Sequence, residues 1–230
     1  MTASLTTAAR LTAQTLLDIE AVLFRPQDPF TFTSGRVSPV YVDCRKIISF
    51  PRARAHLMQL AVEQLALDAG VEAFDVVAGG ETAGIPYGAW MADRLALPMI
   101  YIRKKPKGFG RNAQIEGAFK EGDRVLLVED LATDGGSKMN FVKAIRDAGG
   151  ICQHTFVIFH YGIFPEGIAQ LAAEGVKLHA LCTWWDALAV AKEKNYLDDA
   201  GFKTVTDFLN DPNGWSRANG GKTSEDLVGA

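Results

Sequence analysis

The chain has 230 residues, with 24 Lys and Arg against 27 Asp and Glu, a formal net charge of -3 and 48% hydrophobic residues. That length suits one large domain with a sizeable core, and the lack of a basic excess speaks against a general nucleic-acid or membrane-surface binder. The 3 cysteines (Cys44, Cys152, Cys182) form no CxxC pair and the 4 histidines (His56, His154, His160, His179) no HExxH, so neither a disulfide framework nor a metal cage of protein ligands is expected, and a reducing cytoplasm fits.

In chain order, the N-terminus is rich in Thr and Ala with Arg10 as its first basic residue, and so lacks the basic start and apolar run of an export leader. Residues 5–24 read as a helix, followed by an extended stretch over 28–34. Gly35 turns the chain into the alternating strand Ser38-Pro-Val-Tyr-Val-Asp43. From Pro51, Leu57, Leu60, Ala61 and Leu65 recur at helical spacing, with Gly70 as the stop. Phe74-Asp-Val-Val-Ala78 is a short strand that breaks at Gly79-Gly80, and residues 84–95 form a second helix. Pro98–Ile102 and Arg124–Val128 are further strands, 137–148 a helix, and Thr155–Phe159 closes the series. Residues 183–209 read as helical, and the tail after Asn210, rich in Gly, Asn and Ser, as loosely ordered. No run of about 18 apolar residues occurs, so no membrane span is expected.

Short apolar strands alternating with helices imply an α/β fold with a mostly parallel central sheet. Ligands of such sheets sit at the carboxyl ends of the strands, which selects the loops 79–84, 103–117 and 129–137. The last is the most informative. Four apolar residues run into Glu129 and Asp130, then Leu131, Ala132, Thr133, Asp134, Gly135, Gly136 and Ser137. Two carboxylates at a buried strand end cost several kcal/mol unless something hydrogen-bonds them, and sugar hydroxyls are apt donors. The Gly-Gly-Ser that follows can offer backbone N–H groups to a phosphate at a helix N-terminus. Taken singly, each part has a plainer reading, as a helix cap or a turn. The second loop holds 5 basic residues, Arg103, Lys104, Lys105, Lys107 and Arg111, and no acid between 103 and 111. It is either a solvated hairpin or a cover for a strongly anionic group. The third, Gly79-Gly-Glu-Thr-Ala-Gly84, is either a strand-to-helix turn or an anion cradle.

The segment 125–137 resembles the 5-phosphoribosyl 1-pyrophosphate (PRPP) motif of the type I phosphoribosyltransferases. Arg103, Lys104 and Lys107, the loop end Ile115-Glu116-Gly117, and Phe30-Thr-Phe-Thr-Ser-Gly-Arg-Val-Ser-Pro39 are similar to the orotate phosphoribosyltransferases. The sequence departs from the family pattern at Asp134, where a small neutral residue is usual, at Phe109 for histidine, at Ala83 for a lysine of some members, and at Thr33 for lysine.

The resemblance implies a single phosphoribosyltransferase domain over 1–230. Its core spans approximately 51–182, and a small hood is formed by approximately 1–50 plus the C-terminal helices. It also implies transfer of the phosphoribosyl group from PRPP to orotate, giving orotidine 5′-monophosphate and pyrophosphate. Glu129 to Ser137 and Thr82 would bind PRPP, Thr133 and Tyr41 would contact orotate, and Arg103, Lys104 and Lys107 would stabilise the leaving pyrophosphate. Mg2+ would be held mainly by PRPP and water, and the basic loop would be shared across a homodimer. A transferase for another base, or a non-catalytic PRPP sensor, is the alternative.

Overall fold

The computed structural model describes residues 6–107, 114–133, 136–223 and 226. In chain order its elements are α1 (Thr7–Asp18), β1 (Val22–Phe24), β2 (Phe30–Thr31), β3 (Val37–Ser38), β4 (Val40–Val42), a 3-10 turn Cys44–Ser49, α2 (Pro51–Asp68), β5 (Val76–Gly80), α3 (Gly84–Leu95) and β6 (Met99–Ile102). They continue with β7 (Ile115–Glu116), β8 (Arg124–Ala132), α4 (Gly136–Asp147), β9 (Ile151–His160), α5 (Pro165–Ala173), β10 (Lys177–Thr183), α6 (Trp184–Glu193), α7 (Asp199–Asn210) and α8 (Pro212–Ala218). The chain divides into two compact units, Met1–Ile47 with Cys182–Ala230, and Ile48–Leu181.

The second unit carries a six-stranded sheet in the order β10-β9-β8-β5-β6-β7. β5 pairs in parallel with both β6 and β8, β8 pairs in parallel with β9, and β7 runs antiparallel to β6. The strands are apolar because both faces are covered. Val76, Ala78, Ile100, Ile102, Val125 and Leu127 pack with Phe141, Val142 and Ile145 of α4, and α3 packs on β5, β6 and β8 from its own side. Chain order leaves β5 outward to β6 and then returns to β8 on the opposite flank. The carboxyl ends of β5 and β8 therefore bound a topological switch point, the place where open α/β sheets bind ligands.

Several expectations need correction. The glycines at 79–80 do not end β5. Both continue the ladder, opposite Tyr101 and Ile102, and a Cβ at Gly79 would lie 2.7 Å from the Gly84 carbonyl oxygen, so their smallness serves packing. β8 likewise runs past Val128 to Ala132, because β9 supplies pairing partners from Val157 to His160. The strand series does not close at Phe159: α5 and β10 follow.

In the first unit, α1 begins at Thr6, whose Oγ1 accepts from Ala9 N at 3.1 Å, and packs on α6. It stops at Asp18, and after Glu20 in the left-handed region (φ 54°) residues 22–24 form a strand paired with β4. The tail after Asn210 is not loose: it forms α8 over Pro212–Ala218. The Asp211 side chain caps α8, Pro212 stands in its first turn, and fully buried Ser216 accepts from Val37 N (3.0 Å) and donates to the Lys222 carbonyl (2.7 Å).

Candidate active site

The acid pair lies inside β8, where successive side chains point to opposite faces. Glu129 shares its face with Val125 and Leu127, the face covered by α4. Its carboxylate accepts from Lys138 Nζ at 2.6 Å, and the same ammonium donates to the Leu131 carbonyl at 2.8 Å. The Lys138 side chain is only 2% exposed and that of Glu129 12%. Gly80 makes room for this carboxylate: a Cβ there would lie 2.8 Å from Glu129 Oε1 and 2.9 Å from the Phe141 ring. Alternation sends Asp130 to the α3 face. Leu131 is half-buried, Ala132 closes the strand in a buried position, and Thr133 is exposed just beyond it. Gly136 and Ser137 form the first turn of α4, whereas Asp134 and Gly135 fall outside the described residues.

The other two loops adjoin this strand end. Gly84 at the start of α3 comes so close to β8 that a Cβ would lie 2.5 Å from the Val128 carbonyl oxygen. Thr82 sits between, after a cis peptide to Glu81. Glu81 Oε2 accepts from Lys104 N at 2.7 Å, and Asn140 Nδ2 of α4 donates to the Lys104 carbonyl at 3.2 Å. The base of the basic loop is thereby tied both to the 79–84 loop and to α4. Its two strands are also zipped together: Arg103 N donates to the Gln114 carbonyl at 2.8 Å, and Gln114 Nε2 to the Arg103 carbonyl at 2.8 Å.

Glu116 gathers the cations of that loop. Lys107 forms an ion pair with it and Arg103 Nη1 lies 3.7 Å away; the Lys107 hydrogen bond, helped by both positive charges, holds the Glu116 carboxyl below its usual range. Arg103 Nε is buried without a hydrogen-bond partner among the described residues. Buried donors are nearly always paired, so this N–H is one that a bound anion can take. Gly108 to Ala113, Phe109 among them, lie outside the described residues.

The structure thus brings together Thr82, Arg103, Lys104, Lys107, Glu129, Asp130 and Thr133 in the second unit. Tyr41 belongs to the first, where it is 37% exposed and its ring centroid lies 5.5 Å from Phe30 and 6.1 Å from Phe32. Among the described residues no group of three or more His, Cys, Asp or Glu could hold a metal ion. Sequence reasoning missed Lys138, Glu81 and Asn140. Lys138 had a signal, since it falls on the stripe 138, 141, 142 and 145 that α4 turns to the core, and a cation in the first turn opposes the helix dipole.

A mostly parallel sheet whose switch point carries an acid pair, a glycine loop and a basic loop has the architecture of a type I phosphoribosyltransferase. Two solved structures share the architecture. An orotate phosphoribosyltransferase from Aeropyrum pernix matches with TM-score 0.68 and 29% identity, covering 81% of this chain and 99% of that one. A UMP synthase from Leishmania donovani matches with TM-score 0.70 and 27% identity over 88% of this chain, which spans 42% of that protein. The orotate phosphoribosyltransferase of Cereibacter sphaeroides is 63% identical over 210 residues, 91% of this chain and 90% of that protein. No family model matches the chain. The chain belongs to the orotate phosphoribosyltransferase family.

Proposed function

We propose that the protein transfers the 5-phosphoribosyl group from PRPP to orotate, yielding orotidine 5′-monophosphate and pyrophosphate on the route to UMP. The observation that carries this reading is the convergence, at the β5–β8 switch point, of Glu129 and Asp130 with the Thr82 loop and the base of the basic loop. Bond breaking at the anomeric carbon develops positive charge on the ribose and negative charge on the pyrophosphate. The protein's part is then positioning and electrostatics.

In this reading Glu129 and Asp130 hold the ribose hydroxyls. Residues 131–137, Thr133 among them, wrap the 5′-phosphate at the N-terminus of α4, where backbone N–H groups and the helix dipole favour an anion. Arg103, Lys104 and Lys107 stabilise the leaving group, and Thr82 lies along the pyrophosphate. Thr133 and Tyr41 contact the base. Mg2+ would be held mainly by PRPP oxygens and water, since hydrated Mg2+ needs few protein ligands. Bound with PRPP, Mg2+ supplies neutralising charge to the pyrophosphate.

The first unit corresponds to a hood and the second to the core of one phosphoribosyltransferase domain. The protein works as a homodimer in which the basic loop serves the neighbouring subunit, as the family resemblance suggests. Its 3 cysteines are free and buried, which suits a reducing cytoplasm, and among the described residues no helix is long and apolar enough to cross a membrane.

The test is a PRPP- and Mg2+-dependent assay with orotate, uracil, adenine and hypoxanthine offered separately. Orotate alone is expected to be consumed. Use of another base without orotate would assign a different transferase, and PRPP binding without turnover of any base would assign a sensor.

A further inference from the structure

Lys138 has no role in the reaction as set out above, yet its placement is costly. A lysine buried to 2% exposure loses most of its hydration, an expense of several kcal/mol unless partners replace the water. It also stands in the first turn of a helix, where the dipole disfavours a cation. Both costs are met in one place: Nζ donates to Glu129 Oε2 at 2.6 Å and to the Leu131 carbonyl at 2.8 Å. The two acceptors flank Asp130 in the strand. One side chain therefore fixes a member of the acid pair and the backbone that leads into the phosphate loop.

Glu129 is confined from its other side as well. Its Oε1 and Cγ lie against Gly80, with 2.8 Å and 3.0 Å to an added Cβ, and its Cα and Cγ against Gly84, with 3.2 Å and 3.3 Å. The carboxylate is thus held between Gly80 and the Lys138 ammonium, with Gly84 against the base of the side chain. Hydrophobic packing alone would be served more cheaply by leucine or methionine at 138, since Phe141, Val142 and Ile145 complete that stripe.

We infer that Lys138 is a positioning residue for PRPP: it pairs the charge of Glu129 and fixes its orientation, so that the polyanionic substrate meets an oriented and neutralised carboxylate. The inference rests on the reading that the β8 acid pair faces the ribose. Without the ammonium, Glu129 is free to turn and its unpaired charge repels PRPP.

Steady-state kinetics with PRPP and orotate varied separately test this on the full-length protein. Lys138→Met is expected to raise the KM for PRPP about tenfold or more, while the KM for orotate and kcat move less than about threefold. Because Lys138→Met strands a buried carboxylate, the double variant Lys138→Met/Glu129→Gln is measured beside it. It removes the stranded charge, so its thermal midpoint is expected near that of wild type, with the PRPP KM still raised. Lys143→Met, on an exposed turn of the same helix and paired with Asp147, is the control and is expected to behave as wild type. A folded double variant with a wild-type KM for PRPP would overturn the assignment, as would loss of folding in both variants, which would make the pair a staple of the fold alone. Should wild type prove to use another base, the PRPP KM is read with that base, so failure of the orotate reading stays separate from failure of this one.

Discussion

Gly80 and Glu129 show how one small residue and one charged residue specify each other. A methyl group at Gly80 would press within 2.8 Å of Glu129 Oε1 and 2.9 Å of the Phe141 ring, contacts that are relieved only if the carboxylate and the ring give way. Gly80→Ala is therefore expected to cost about 1–3 kcal/mol in urea unfolding and to raise the KM for PRPP by displacing the carboxylate. An unchanged KM would separate Glu129 from the substrate. The acid pair itself was legible in the sequence, because two carboxylates after four apolar residues demand a reason. The partner was not. Sugar hydroxyls looked like the natural donors, and the protein's own lysine, nine residues on, takes one of the Glu129 oxygens. Only the fold shows that α4 returns Lys138 over the same face of β8.

At the scale of elements, the basic loop is anchored before it reaches any ligand. Lys104 is held through its backbone by Glu81 and Asn140, which leaves its ammonium for chemistry, whereas Lys107 and Arg103 converge on Glu116. The Lys107 side chain is 56% exposed, so its ion pair adds little stability. Lys107→Ala is expected to leave the unfolding midpoint nearly unchanged while kcat falls on the order of hundredfold to thousandfold, the range for loss of one charge-stabilising donor; rapid-quench measurement of pyrophosphate release checks this.

The C-terminal tail is the opposite case, an element read as loose from its glycine, asparagine and serine content. Local chemistry settles it otherwise: Asp211 and Pro212 start α8 as a cap and a first-turn proline do, and Ser216 bridges Val37 and Lys222. Ser216→Ala leaves a buried N–H and a carbonyl without their partner and is expected to destabilise by about 1–3 kcal/mol, measured by thermal or urea unfolding. Strand β10 escaped for a related reason. His179 interrupts the apolar alternation, yet it is 2% exposed, because Asp68 and His154 hydrogen-bond its two ring nitrogens at 3.0 Å and 2.9 Å.

For the whole molecule, the central sheet was readable because β5, β6, β8 and β9 are apolar runs bounded by helices, and the strand order then locates the site. The two histidines of β9, His160 buried and His154 half-buried, set a pH dependence. Burial, with repulsion from His179 and Lys177, holds His154 below the ordinary histidine value, and burial with the nearby Lys138 charge does the same for His160. The unfolded chain therefore takes up these protons first. Stability is full above about pH 6.5 and is lost as pH falls through the window down to the lowered folded values. Thermal midpoints between pH 8 and 5 are expected to drop below pH 6.5, and the drop should be shallower in His160→Gln.

The account stands most directly on Asp130, the carboxylate that β8 turns to the α3 face of the switch point. Orotate consumption and pyrophosphate release, followed together for wild type and Asp130→Asn at saturating Mg2+, test it in one experiment. Wild type is predicted to release one pyrophosphate per orotate consumed, and Asp130→Asn, with an unchanged circular dichroism spectrum, to lose about 100-fold or more in kcat/KM for PRPP, roughly 2.7 kcal/mol of transition-state stabilisation. Wild-type turnover by Asp130→Asn, or pyrophosphate released without orotate consumed, would contradict it.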